Sequence, residues 1–470
     1  SVEMEEDREG EEDDEDRMGL VDQGDRAGLY AGSSEGSWVG VGLGTGMYHA
    51  FILPNYKEEL DLLRGTLDAL ANHWDAVDRY IVVLAMENGE EGHERKALQL
   101  VKEYSDMFAS ILVTSHVLQS GESPGKAPNV NWAGEKLLEH VSPGGAFEVS
   151  VDRVMVTVLD ADALVHPLYV RELDLAIDSI ARNPRNVHRR IFAPPVLLER
   201  NWREVVIFTR MQDLSWAALQ FQNLPSAAGV GFPLSVYSLS LQLCKDIGFW
   251  DTNAEGIGED MHTFLKAFYK TKGEVRLHPI YIPINLVNIQ AETWLDTMLA
   301  RYHQAERHYR GVVDVAYATK HTLQQWQVAR AWVVLFKVYE AHALPGTTPF
   351  FMAIAGPLSE VVHRLYDPFE GTDYFFMKFI QVFALLGIIC FYGTIIPFEL
   401  NRRRVNVSIF KIKNPPMWYI LHYLIMTFNL WLYCVIPYVI SSFRWVLCIE
   451  ASQYRVAEKQ MKFNANRQRL

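Results

Sequence analysis

From Tyr48 to about Ala163, short apolar runs alternate with stretches of helical period. Apolar segments fall at His49 to Leu53, Tyr80 to Ala85, Ser110 to Thr114 and Val154 to Leu159, and helical patterns lie between them at Glu58 to Asn72 and Gly92 to Phe108. Such alternation predicts an α/β domain with a mostly parallel sheet and helices on both faces. Ligands of such sheets bind beyond the carboxyl ends of the strands, so the residues just after each strand are the ones to read for chemistry. Further along, the period disappears. Phe379 to Pro397 carries no charge and, as a helix, spans roughly 28 Å, about one hydrocarbon core. Trp418 to Ile440 is a second uncharged run, flanked by Trp and Tyr residues of the kind that settle at headgroup level. Both are predicted to cross a membrane. Ala329 to Phe351 carries Arg330, Lys337 and Glu340 at spacings that leave an apolar face, which predicts an amphipathic helix lying on the membrane.

These shifts divide the chain into residues 1–46, 47–311, 312–374, 375–440 and 441–470. The first segment is acidic, then Gly-rich at Gly40, Gly42, Gly44 and Gly46, and is expected to be a disordered tail and linker. The chain opens on Ser rather than Met and shows no signal peptide, so upstream sequence is expected. The third segment should hold interface helices, the fourth two transmembrane helices and the fifth a basic tail. No internal repeat is visible.

Composition changes the picture in three places. At 470 residues, 49% hydrophobic and 21% charged, the chain can bury a large core. The net charge of −13 is mostly local, because Val2 to Arg17 holds eleven acids and two bases. The nearly neutral remainder has no basic stripe able to release counterions, which excludes a nucleic-acid partner. The four cysteines (Cys244, Cys390, Cys434, Cys448) are too few for a disulfide scaffold and are not spaced for zinc.

Candidate chemistry collects at the strand ends. Pro54, Tyr56 and Glu58 follow the first strand, and Glu87 follows the second. Asp160-Ala161-Asp162 ends the Val154–Leu159 strand, where residues i and i+2 of an extended chain point the same way. Two converging carboxylates suit a hard cation, Mg2+ or Mn2+, that keeps phosphate and water ligands; solvated turn aspartates are the alternative. Gly125 to Trp132 is predicted to be a loop that opens a helix over Ala133 to Leu138, with Lys126 facing an anion or simply solvent. Gly258-Glu259-Asp260 precedes a helical run from Thr263 to Tyr269; its carboxylates suit either a helix cap or a rigidly held general base. Gln304, Arg307 and His308 share one helical face, placing a guanidinium to meet either a departing diphosphate or anionic lipid.

Taken in order, Pro-x-Tyr-x-Glu, Lys-Ala-x-Asn-x-Asn, Asp-Ala-Asp, Gly-Glu-Asp, Gln-x-x-Arg and then membrane helices resemble the membrane-bound family 2 glycosyltransferases of the cellulose-synthase-like and chitin-synthase-like branch. The resemblance covers about Tyr48 to Ile440. It implies a GT-A type, Rossmann-like mixed sheet followed by interface and transmembrane helices. The implied reaction takes a sugar from a nucleotide-sugar donor, usually UDP-linked, with inversion, and passes it to a polysaccharide or lipid at a membrane. It also implies site roles: Asp160 and Asp162 for the metal, Asp260 as base with Glu259 beside it, and Pro54, Tyr56, Glu58, Glu87, Lys126, Asn129, Asp160, Gln304 and Arg307 around the donor. Three departures stand out. Glu87 replaces the Asp that reads uracil, Gly258 replaces Thr, and His308 replaces a Trp that stacks on the acceptor. Trp250, in Gly248-Phe249-Trp250, is expected to supply that stacking face instead. A catalytically inactive homologue that scaffolds a synthase complex through its other subunits is the competing reading. Topology conflicts with itself: the loop Asn401–Asn414 carries five basic residues that assign it to the cytoplasm. The catalytic domain is expected in the same compartment, although one crossing separates the two. Either a further crossing lies within Ala329 to Val362, or the basic loop faces out, or the catalytic domain lies in a Golgi-type lumen; the first is favoured.

Overall fold

In the computed structural model the described residues are 46–447, apart from 254, 255, 257, 345, 348–353, 355, 356, 359, 360 and 362–371. The acidic tail and most of the Gly-rich linker, the stretch 448–470 and part of the expected interface region lie outside them. The strands are β1 (Tyr48–Asn55), β2 (Tyr80–Glu87), β3 (Ser110–His116), β4 (Val154–Val158), β5 (Arg190–Ala193), β6 (Val196–Leu197), β7 (Tyr237–Ser240), β8 (Arg276–Pro279) and β9 (Ile284–Asn285). Seven form one sheet in the order β3-β2-β1-β4-β7-β5-β8, and β6 pairs with β9 in a small second sheet. All ladders are parallel except those of β7, which runs against both β4 and β5. This is the Rossmann-like mixed sheet of the GT-A type.

Its central strands are buried on both faces, which is why β2 reads Tyr-Ile-Val-Val-Leu-Ala-Met with no alternation. The reversed strand alternates instead. Tyr237 and Leu239 enter one core, while the Ser238 hydroxyl meets Thr157 Oγ1 and Tyr169 Oη at 2.7 Å on the other face. One core lies under the helices Lys126–Val141 and Glu259–Lys270, the other under Leu60–Ala71, His93–Tyr104 and Pro167–Ile180.

The helix Ala329–His342 differs from its expectation in where its charges go. Ala331, Val334 and Val338 pack into the first core, and the Arg330 guanidinium donates to the carbonyls of Ala228 (2.9 Å) and Val275 (3.0 Å). Lys337 Nζ donates to Asn223 Oδ1 at 2.9 Å. The polar side therefore grips the domain, and the face left exposed carries Trp332, Phe336 and Tyr339. A helix that is apolar on its outward side fits a lipid surface better than water.

Two helical stretches, Gln381–Ser408 and Met417–Arg444, are long and apolar enough to cross a membrane. The first belongs to a helix running from Thr372 to Ser408, so the expected loop Asn401–Asn414 is helical over its first half. There Arg402 pairs with Glu199 (2.6 Å) and Glu399 (2.7 Å), and Arg403 with Glu399 (2.6 Å). The second stretch packs against the helices Ile207–Asn223 and Trp294–His308. Asn429 Nδ2 donates to the Phe208 carbonyl at 2.6 Å, and the rings of Tyr309 and Tyr438 meet edge to face at 5.7 Å.

Candidate active site

At the carboxyl end of β4 the chain does not remain extended. Ala163 N–H donates to Asp160 O at 3.0 Å, closing Asp160 to Ala163 into a turn, so the i, i+2 argument for converging carboxylates does not apply. Their partners differ. Asp160, partly exposed, accepts from Lys126 Nζ at 2.9 Å. Asp162, 1% exposed, accepts with Oδ2 from Val287 N–H at 2.7 Å, while its carbonyl takes a 2.6 Å bond from Arg200.

Lys126 is the first residue of a helix that runs to Val141, so the predicted loop 125–132 is in fact the opening of that helix. Pro128 is tolerated because the first turn has no intrahelical partner for its missing N–H. Asn129 lies in the same turn and is buried; its Nδ2 ties the helix to Ala85 O on β2 at 2.8 Å. The ammonium of Lys126 is held by protein oxygens rather than left to solvent. It sits among Asp160, the Ser235 carbonyl (3.0 Å) and Glu259 Oε2 (3.3 Å). Burial opposes its charge, but Asp160 and Glu259 outweigh burial and hold it above the usual lysine value.

Glu259 and Asp260 open the helix Glu259–Lys270, as a first-turn carboxylate pair should. Glu259 is buried and accepts from the Tyr237 hydroxyl, which in turn accepts from Trp250 Nε1 at 2.6 Å. Burial pushes its carboxyl up to about 7 against the pull of Lys126. Asp260 is more open. Its Oδ2 accepts from Ser235 N–H and its Oδ1 from Met261 N–H, both at 2.8 Å. Trp250 is 4% exposed beneath this pair, so it offers no face to a sugar and instead buttresses Tyr237.

Around this centre the other expected residues take their own places. Pro54 lies in β1, Tyr56 N–H donates to the Glu58 carboxylate, and Glu90 binds Asn55 Nδ2 (2.8 Å) and Lys57 N–H (2.7 Å). Glu87 is tied to His116 Nδ1 at 3.1 Å, and His116 Nε2 meets Glu122 at 3.0 Å; burial holds the Glu87 carboxyl above its usual range. Gln304, Arg307 and His308 share the helix Trp294–His308. The His308 ring meets Trp216 edge to face at 6.1 Å, and burial followed by Arg307 and Arg301 holds it well below the usual histidine value. It is therefore neutral at pH 7, not poised to titrate near pH 6.5.

Arg200 and Trp216 were not legible as site residues, and Ser235 and Tyr237 were legible only as members of the segment Phe232–Tyr237, which resembles the family's acceptor region. Ser235 acts through its backbone, at φ +59°, and the others meet their partners across long sequence separations. Among the described residues no group of three or more His, Cys, Asp or Glu side chains is gathered as a metal site. The carboxylate oxygens of Asp160 and Asp162 are hard donors of the type that suits Mg2+ or Mn2+.

The family model of the glycosyl transferase family group 2 matches residues 155–449, more than half of the chain. No curated protein matches it. Among solved structures, the mannosyltransferase PcManGT from Pyrobaculum calidifontis in complex with GDP-Man and Mn2+ is similar over 79% of this chain and 90% of its own, at 16% identity and a TM-score of 0.42. S. aureus TarS 1–349 is similar over 65% of this chain and 74% of its own, at 12% identity and a TM-score of 0.38. The glucosyl-3-phosphoglycerate synthase of M. tuberculosis is similar over 56% and 80%, at 16% identity and a TM-score of 0.31.

Proposed function

The chain belongs to the glycosyl transferase family group 2 and is a glycosyltransferase, and from that premise we propose that it moves a sugar, with inversion, from a nucleoside-diphosphate donor to a hydroxyl of a glycan or lipid at a membrane. UDP-sugars are the first donors to try, and the cellulose- and chitin-synthase-like branch is the proposed kinship. The observation that carries this reading is the gathering of Asp160, Glu259 and Asp260 around the Lys126 ammonium at the carboxyl ends of the strands.

Asp260 is the general base, because its carboxylate is oriented by two backbone N–H groups and reachable, whereas Glu259 is buried and committed to Tyr237 and Lys126. The acceptor O–H gives its proton to Asp260, and the oxygen attacks the anomeric carbon from the face opposite the diphosphate. The anomeric C–O bond breaks and its electron pair leaves with the nucleoside diphosphate. A single displacement of this kind inverts the centre. Lys126 and Arg307 supply positive charge to the departing group. Mg2+ or Mn2+ held by Asp160 and Asp162 would neutralise the same diphosphate.

The test is nucleotide release by the full chain in detergent, with UDP- and GDP-sugars and with Mg2+, Mn2+ or chelator. Metal-dependent release from at least one donor, with an inverted product, is expected. No release from any donor, beside intact nucleotide binding, would overturn the reading in favour of the inactive scaffold.

A further inference from the structure

Two residues beyond the base, the helix Glu259–Lys270 carries a histidine that is 2% exposed. His262 Nδ1 lies 2.7 Å from Asp314 Oδ1 and Nε2 lies 2.9 Å from Asp251 Oδ2. Ionised carboxylates only accept hydrogen bonds, so a ring with one on each nitrogen carries both protons and is an imidazolium. Burial opposes that charge, but the bonds to Asp251 and Asp314 raise the ring to about 9.

The three residues belong to three different pieces of chain. Asp251 follows Trp250 in the loop beneath the Glu259 and Tyr237 pair. Asp314 belongs to the helix Val312–Gln324, just beyond Arg307 and His308. His262 sits in the first turns of the base's own helix, where its N–H donates to Gly258 O at 2.8 Å.

We propose that His262 is the positioning residue for Asp260, clamping the Asp251 loop and the helix Val312–Gln324 onto the helix start that carries the base. This rests on the assignment of Asp260 as base made above. The clamp is continued by Lys266, whose Nζ binds Asp251 Oδ1 (2.7 Å) and the carbonyls of Phe249 (2.7 Å) and Gly248 (3.1 Å). The charged and titratable groups facing His262 are Asp260 and Lys266 on its own helix, Asp251 on the loop, and Asp314, Tyr317 and His321 on Val312–Gln324. Tyr317 places its ring 4.7 Å from the imidazole, and the His321 ring meets Tyr317 at a tilt, 4.3 Å away. From the helix Ala329–His342, His342 reaches Met261 Sδ at 3.1 Å and lies close enough to Asp314 to feel its charge. Loss of the imidazolium leaves Asp314 and Asp251 facing each other and Asp260 across the helix start, and the repulsion displaces the base and leaves the donor site in place.

The experiment compares wild type with His262→Gln and Asp314→Asn as full chains, measuring kcat against pH, donor KM, UDP affinity with Mn2+, and thermal unfolding. In wild type kcat falls as pH rises through about 9, where the imidazolium loses its proton. His262→Gln should lower kcat at least tenfold at pH 7, remove that alkaline limb and leave donor KM and UDP affinity unchanged. Asp314→Asn takes away one of the two carboxylates that raise the ring, so the limb should move to lower pH, and this variant serves even where His262→Gln fails to fold. Folded variants whose kcat and pH profile match wild type overturn the proposal, as does a kcat loss that only follows the loss of folded protein. Failure of the base assignment shows separately, as Asp260→Asn turning over like wild type.

Discussion

Replacing Glu259 by Gln should change the pH dependence of stability by an amount the site itself sets. The carboxyl is buried between Tyr237 and Lys126 and titrates near 7, against a usual value of 4.5. At about 1.4 kcal/mol per unit, the buried site prefers the protonated form by ~3 kcal/mol. Because the folded value is raised, the folded protein keeps a proton that the unfolded chain has already released. Its stabilisation is complete below about pH 4.5 and is lost as pH rises to about 7. A Gln side chain stays neutral throughout and has no such slope. Relative to the variant, wild type should therefore lose ~3 kcal/mol between pH 4.5 and 8, or roughly 6–12 °C in Tm for a domain of this size. Thermal unfolding of both chains in one detergent over pH 4.5–8.5 measures the gap directly. A gap that stays constant across that range would refute the account, since it would mean that Glu259 ionises in the folded protein as easily as in the unfolded one.

Asp260→Asn should lower kcat by roughly 10²- to 10⁴-fold while UDP affinity stays near wild type, because a base acts in the transition state; steady-state kinetics and calorimetry read the two separately. Asp162→Asn should abolish Mn2+-dependent nucleotide binding and turnover together, and calorimetry with and without Mn2+ shows whether it does. His308→Trp should tighten acceptor use or lengthen the product by adding an aromatic face beside Trp216, while His308→Ala weakens it. Acceptor titrations at saturating donor, with product sizing, compare the three forms.

What was legible in the sequence follows from how strongly each element is constrained locally. The strands β1, β2 and β4 are buried on both faces, β3 lies at the sheet edge, and all four are bounded by helical patterns, so their apolar runs showed them to within a few residues. Beyond Ala163 the sheet uses strands of four residues or fewer, too short for a period to register, and the reversed strand β7 left no signal of its direction. The same division holds at the site. Asp160, Glu259, Asp260 and Lys126 are charged residues at strand and helix ends, where local sequence already marks them. What Lys126 and Trp250 do depends on partners more than a hundred residues away in one case and on a buried hydroxyl in the other. Composition around Trp250 gave an aromatic near the acceptor; only Tyr237 and its carboxylate turn that ring inward.

The basic stretch after the first apolar helix is tied to the catalytic domain by its own contacts. Arg402 and Arg403 are not loose charges beside a membrane: Glu399 and Glu199 neutralise them, and Asn406 Nδ2 adds a 3.2 Å bond to the same Glu199. Glu199 follows β6, and the next residue, Arg200, holds the Asp162 carbonyl at 2.6 Å. The end of the helix Thr372–Ser408 is thus anchored one residue from the support of the proposed metal clamp. A bilayer crossed by this helix would have the helix end and the catalytic domain on the same side, because the Arg402 and Glu199 pair joins them.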